Sequence, residues 1–146
     1  MQYDWKGKVA VLYEDQGDIA TYQQFAARLD IPLITTFEFD NHPTLQFYLS
    51  WRNGCLSLID KANINKSALT VEIERRQGEQ RSWPIAKTGA LAQALGRKTR
   101  TVVDATAGWG QDSLAMFRMG YEVQCIERSP IMAALLADGS GQPVPR

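Results

Sequence analysis

The residues of this 146-residue chain that could do chemistry together lie in one stretch, TVVDATAGWGQDSLAMFRMGYEVQCIER, residues 101–128. Asp104 closes a β-branched run, Gly108 and Gly110 punctuate the small-residue turn Ala105 to Gly110, and Asp112 follows at once. Glu127 and Arg128 stand at the end of the next apolar run. Glycines lack the Cβ that would keep a ligand away from main-chain N–H groups. An acid 17 residues past the second glycine, at a strand tip, is placed to accept hydrogen bonds from ribose hydroxyls. The pattern is that of a site for a nucleoside-bearing ligand. The alternative is that the two glycines serve only a tight turn.

The elements that must position these groups follow from the same residues. Thr101, Val102 and Val103 predict a strand ending at Asp104, Gln111 to Met119 a helix stopped by Gly120, and Tyr121 to Ile126 a second, buried strand tipped by Glu127. A right-handed strand-helix-strand crossover makes the strands parallel, which brings Asp104 and Glu127 to one carboxyl edge, facing one ligand. Dinucleotide enzymes and S-adenosylmethionine enzymes share this arrangement. Three details favour the methyl donor: Asp104 precedes the first glycine by four positions, Ser113 stands where the dinucleotide fingerprint has its third glycine, and Asp112 adds a further acid. Crowded carboxylates repel a pyrophosphate but attract a sulfonium and an amino group.

Residues 102–139, VVDATAGWGQDSLAMFRMGYEVQCIERSPIMAALLADG, resemble the cofactor-binding segment of the RsmJ family, the bacterial small-subunit (16S) ribosomal RNA guanine-N2 methyltransferases. The resemblance lies in DATAG-x-G-x-D followed by ERSP and AALLxDG, and it covers nearly the whole chain. It implies S-adenosylmethionine as cofactor, small-subunit ribosomal RNA as partner, and cofactor contacts at Gln111, Asp112, Glu127 and Arg128. Gln111 departs from the basic residue expected there. Lys87-Thr88-Gly89 resembles the start of the family's glycine-containing helix. The family's acceptor loop, Asp-Pro-x-Phe-Pro, occurs nowhere in these residues, so no catalytic residue is assigned and the chain reads as truncated toward its C-terminus. The implied fold is α/β: the first half of a class I S-adenosylmethionine-dependent methyltransferase (Rossmann-like) sheet, preceded by a small α+β N-terminal domain.

A 45% hydrophobic, 10% aromatic composition is enough for a packed core in one ordinary domain or two small ones. No apolar run is long enough for a membrane span and MQYDWKGKVA lacks a signal-peptide pattern, so a cytoplasmic protein is expected. Cys55 and Cys125 lie in apolar contexts without metal-ligand spacing; buried thiols and no metal are expected. Net charge is zero but unevenly spread: the stretch from Arg75 to Arg100 holds 7 Lys and Arg against 1 Glu. Arg75, Arg76, Arg81 and Lys87 are therefore candidates for RNA phosphates, with a solvated basic face as the alternative. Trp83 and Trp109 are candidates for stacking on an unpaired base, or for core and rim packing.

Ahead of this region, Lys8 to Tyr13 predicts a buried strand, Ala20 to Leu29 a helix with Tyr22, Phe25, Ala26 and Leu29 on one face, and Leu33 to Phe39 a strand. Asn53-Gly54 between Leu45–Trp51 and Cys55–Ile59 predicts a hairpin. Leu69 to Glu74 alternates as another strand, Trp83 to Leu95 reads as a helix, and Ser129-Pro130 opens one whose apolar face is Ile131 to Leu136. His42, the only histidine, falls in a loop. The expected organisation is an α+β domain over 1–74, a basic linker over 75–82, a partial Rossmann-like domain over 83–138 and a disordered tail over 139–146. Beside the methyltransferase stand two other readings: a catalytically inert RNA-binding or cofactor-binding remnant, and an NAD-binding oxidoreductase module.

Overall fold

A computed structural model of the chain describes residues 5–15, 17–63, 68–71, 89–96 and 98–141. They fall into two compact units, one up to Thr70 and one from Val71 onward.

The first unit is a five-stranded sheet of β1 (Val9–Tyr13), β2 (Leu33–Thr35), β3 (Phe47–Arg52), β4 (Cys55–Asp60) and β5 (Leu69–Thr70), in the order β2-β1-β3-β4-β5. Strand β1 runs parallel to β2 on one side and to β3 on the other. A strand flanked this way is covered on both faces, hence the unbroken apolar run Val9-Ala10-Val11, all fully buried. Helix α1 (Ile19–Leu29) starts at Asp18, whose carboxylate accepts from the Ala20 amide at 3.1 Å. It lays Tyr22 and Phe25 edge-on against Trp51, with ring centroids 5.0 and 4.7 Å apart. The opposite face of the sheet buries Ala10, Leu12, Ile34, Leu45, Tyr48 and Ile59. Each large apolar side chain buried there contributes about 1.5–3 kcal/mol of transfer free energy. The exposed Lys6–Asp30 ion pair adds little beside that.

The hairpin joins β3 to β4 (Cys55–Asp60) in full register, from Phe47 opposite Asp60 to Arg52 opposite Cys55. Asn53 and Gly54, with φ of 53° and 74°, are the two left-handed residues a tight turn between twisted strands requires. Two expectations are corrected. The strand from Leu33 ends at Thr35, because the Thr35 amide and hydroxyl both donate to Glu38 Oε2, at 3.0 and 2.9 Å, and turn the chain into the 3-10 helix Thr36–Asn41. Strand β5 is only Leu69–Thr70, with Val71 already outside it and residues 72–74 outside the described ones.

In the second unit β6 (Thr101–Asp104) and β7 (Glu122–Cys125) pair in parallel, with Asp104 opposite Cys125. Helix α3 (Gln111–Arg118) connects them and buries Ser113 and Met116. Ahead of them, α2 (Gly89–Leu95) is the described part of the helix expected from Trp83; residues 83–88, the linker 75–82 and Arg97 lie outside the described residues. The buried Tyr121 reaches back with its hydroxyl 3.5 Å from the Gly96 carbonyl. Strand β7 is not buried as expected. Glu122 and Gln124 form one exposed face, and among the described strands β7 pairs only with β6. The same placement leaves Cys125 exposed, and Cys55, at the mouth of the hairpin, is half-buried; neither is the buried thiol expected.

Helix α4 (Pro130–Gly139) is capped by Ser129, whose Oγ accepts from the Met132 amide at 3.3 Å. It buries Ile131, Ala134, Leu135 and Leu136. It also runs past the apolar face that ends at Leu136: Gly139 is helical and the Ser140 amide donates to the Leu136 carbonyl at 3.0 Å, so the first residues of the expected tail belong to the helix and its cap. The reason is contact. A Cβ at position 139 would sit 2.1 Å from the Val71 carbonyl oxygen, so only glycine lets the helix lie that close to this backbone.

Candidate cofactor site

The site is built at the carboxyl ends of β6 and β7. The ladder continues one step beyond the strands, the Ile126 amide donating to the Asp104 carbonyl at 2.8 Å and the Ala107 amide to the Ile126 carbonyl at 3.2 Å. These bonds hold residues 104–110 against the tip of β7. The turn then closes on itself through the Gly110 amide and the Ala107 carbonyl at 2.7 Å. Gly108 and Gly110 have φ of 50° and 72°. A Cβ at Gly108 would meet nothing nearer than the Thr106 carbonyl oxygen at 3.7 Å. Glycine is thus needed at 108 for its backbone conformation, while the space around its Cα is open to a ligand.

Both acids anticipated at this edge are fixed by hydrogen bonds. Glu127 Oε2 accepts from the Gly108 amide at 2.9 Å and Oε1 from the Ser129 amide at 2.7 Å, so main-chain donors from two loops set the plane of one carboxylate. Asp104 Oδ1 accepts from the Thr106 amide at 3.1 Å, and Oδ2 from the Ser113 hydroxyl at 2.5 Å. The Ser113 hydroxyl in turn receives the Cys125 thiol at 3.2 Å. A carboxylate oxygen accepts more than one hydrogen bond, which leaves both groups able to take a ligand hydroxyl or ammonium. A pair of carboxylate acceptors is the chemistry that the hydroxyls and amino group of S-adenosylmethionine call for.

The other residues named from sequence are placed as follows. Gln111 and Asp112 are exposed on the first turn of α3, Arg128 is exposed beyond β7, and Trp109 at the tip of the glycine turn is 40% exposed. Arg75, Arg76, Arg81, Lys87 and Trp83 lie outside the described residues. Sequence reasoning noticed Ser113 only as a missing glycine. Its burial three residues before Met116, on the inner face of α3, is the signal that it points back at the strand ends. Among the described residues no group of His, Cys, Asp and Glu could hold a metal ion, and no helix is long and apolar enough to cross a membrane.

The chain is similar to known proteins over most of its length. The model of the family described as "Putative SAM-dependent methyltransferase" matches residues 32–142. The ribosomal RNA small subunit methyltransferase J of Alkalilimnicola ehrlichii is 38% identical over 129 residues, 86% of this chain and 47% of the relative. That of Alteromonas mediterranea is 34% identical over 140 residues, 90% and 51% of the two chains. In the crystal structure of a SAM-dependent methyltransferase from Neisseria gonorrhoeae, 27% identical, the fold is similar with a TM-score of 0.56, over 89% of this chain and 50% of that one. The chain spans about half the length of the curated relatives it matches. With the family model matched across most of its length and the acid-bearing strand ends in place, the chain belongs to the SAM-dependent methyltransferase family.

Proposed function

We propose that the turn 104–110 and the tip of β7 bind S-adenosylmethionine, and that the protein transfers its methyl group to N2 of a guanine in small-subunit ribosomal RNA, in the cytoplasm. The observation that carries the reading is the shared carboxyl edge, where Glu127 and Asp104 are each fixed by two donors on either side of an open glycine turn. Glu127 holds the ribose hydroxyls, Asp104 and Asp112 attract the cationic end, Gly108 and Gly110 let the main chain approach, and Gln111 and Arg128 flank the bound nucleoside. When bound, the cofactor supplies an electrophilic methyl carbon; this chain's part is binding and alignment. The relatives' names carry the choice of ribosomal RNA as substrate, and the basic stretch over 75–100 supports it as a phosphate-binding surface, with Lys98 and Arg100 exposed. We read residues 1–74 as a separate domain, 75–82 as its basic connection and 83–138 as the methyltransferase part.

Donor binding is the part of this function that the residues named here account for. Calorimetric titration tests the reading. S-adenosylhomocysteine should bind and NAD should not. Binding of NAD alone would replace the methyl-donor reading with the oxidoreductase one. Salt-sensitive RNA binding without any S-adenosylhomocysteine binding would favour the inert RNA-binding remnant, which the basic stretch also supports.

A further inference from the structure

Resting on the methyl-donor reading above, we infer that Ser113 is a positioning residue: it sets the Asp104 carboxylate for the amino-acid end of the cofactor and leaves the ribose end untouched. Ser113 is 4% exposed, buried in the first turn of α3, and its hydroxyl has a single proton to donate. That proton goes to Asp104 Oδ2 at 2.5 Å. One lone pair accepts the Cys125 thiol, 3.2 Å away on the residue directly opposite Asp104 in the β6–β7 ladder. The donor direction is therefore fixed: thiol to hydroxyl, hydroxyl to carboxylate. With the Thr106 amide on the other oxygen, at 3.1 Å, the carboxylate is held at both ends and cannot turn about its last bond without breaking one of them.

The division of labour is spatial. Glu127 takes its two donors from Gly108 and Ser129, none of them shared with Asp104, so loss of the Ser113 hydroxyl removes a restraint from one acid only. A charge-assisted hydrogen bond of this kind is worth about tenfold in a binding constant, and an unrestrained carboxylate meets an ammonium less often in the right geometry. The position asks for a hydroxyl on a short stem, which threonine also supplies and alanine does not.

The test titrates the full chain with two ligands, S-adenosylhomocysteine and 5′-methylthioadenosine, which keeps the ribose and base but lacks the amino-acid end. Ser113→Ala should weaken S-adenosylhomocysteine roughly tenfold and change methylthioadenosine less than about twofold. Ser113→Thr should restore most of the loss. Asp104→Asn should show the same selectivity, and combining it with Ser113→Ala should add nothing further. Equal losses for both ligands in a variant whose thermal melt matches wild type, no loss for either, or additive effects of the two substitutions would overturn the inference. Because methylthioadenosine reports on the ribose end of the same protein sample, a variant that merely unfolds is recognised by its loss of both. A wild-type chain that binds neither ligand defeats the methyl-donor reading together with this inference, whereas normal S-adenosylhomocysteine binding by Ser113→Ala defeats the inference alone.

Discussion

The amide of Gly108 donates a 2.9 Å hydrogen bond to Oε2 of Glu127, so the glycine turn after β6 and the tip of β7 are one hydrogen-bonded piece. Replacing Glu127 by Gln puts an NH2 group against either the Gly108 or the Ser129 amide, donor against donor. We expect Glu127→Gln to weaken S-adenosylhomocysteine by at least about tenfold, since hydrogen bonds to a charged group are worth about 1.5–3 kcal/mol each. Calorimetric titration of the variant checks this, and an unchanged affinity would remove Glu127 from the site.

Gly110, at φ 72°, hands the chain to α3 in a left-handed conformation. Gly110→Ala should cost about 1–2 kcal/mol of stability, the penalty of that conformation for a residue with a Cβ. Urea unfolding reads the cost. A variant as stable as wild type would mean that the turn relaxes without loss.

Position 139 makes a different demand. With a Cβ there at 2.1 Å from the Val71 carbonyl oxygen, Gly139→Ala must push α4 away from that backbone. Overpacking of this kind typically costs about 1–3 kcal/mol. A thermal melt should show the loss, while Ala137→Gly in the same helix should cost only about the 1 kcal/mol of helix propensity.

In the first unit Glu14 accepts from Ser50 at 2.6 Å and from Arg52 Nη2 at 2.9 Å. Burial is the largest single influence on its carboxyl and pushes the pKa up, but the hydrogen bonds from Arg52 and Ser50 and the Arg52 charge together outweigh it and hold the group below its ordinary value. A lowered folded-state pKa means that the stabilisation is present at neutral pH and is lost as the pH falls from the ordinary carboxylate range through the folded value. Glu14→Gln should therefore be less stable than wild type at pH 7, and the difference should shrink toward pH 3. Urea midpoints measured across that range decide it; a constant gap would show that the ionised carboxylate is not what matters.

The basic stretch predicts a salt effect. If Arg75 and Arg76 touch phosphates, changing both to Gln should lower RNA affinity and reduce the slope of log K against log salt by about one to two. Filter binding at several salt concentrations measures the slope, and an unchanged slope would make the pair a solvated face.

What was legible in the sequence was whatever local chemistry decides. Asn53-Gly54 dictates its own turn, and Val102, Val103 and the glycines dictate a strand followed by a glycine turn. Parallel pairing then puts Asp104 and Glu127 at one edge, as expected from the order of elements alone. The misses arose where a side chain overruled a pattern or where tertiary cover decided. Glu38 bends a β-like run by capturing the Thr35 amide and hydroxyl. Burial of β7 depends on what lies over Glu122 and Gln124, which their neighbours in sequence do not specify. Gly139 opens the Gly- and Pro-rich stretch expected to be a disordered tail, and only its closeness to Val71 shows why a glycine there belongs to the helix. Ser113 was the hardest to read, since a serine in the first turn of a helix usually caps or faces water, and only the fold aims it at a strand end.

The pairing of β6 with β7 alone among the described strands has a practical outcome for anyone who handles this chain. Val103 is 53% exposed and Ile126 50%, beside a ladder that no further described strand extends, and an edge of that kind can template pairing with another molecule. Preparations should show concentration-dependent self-association at this face, and a charged residue in place of Val103 should keep the protein monodisperse through the titrations that decide its function.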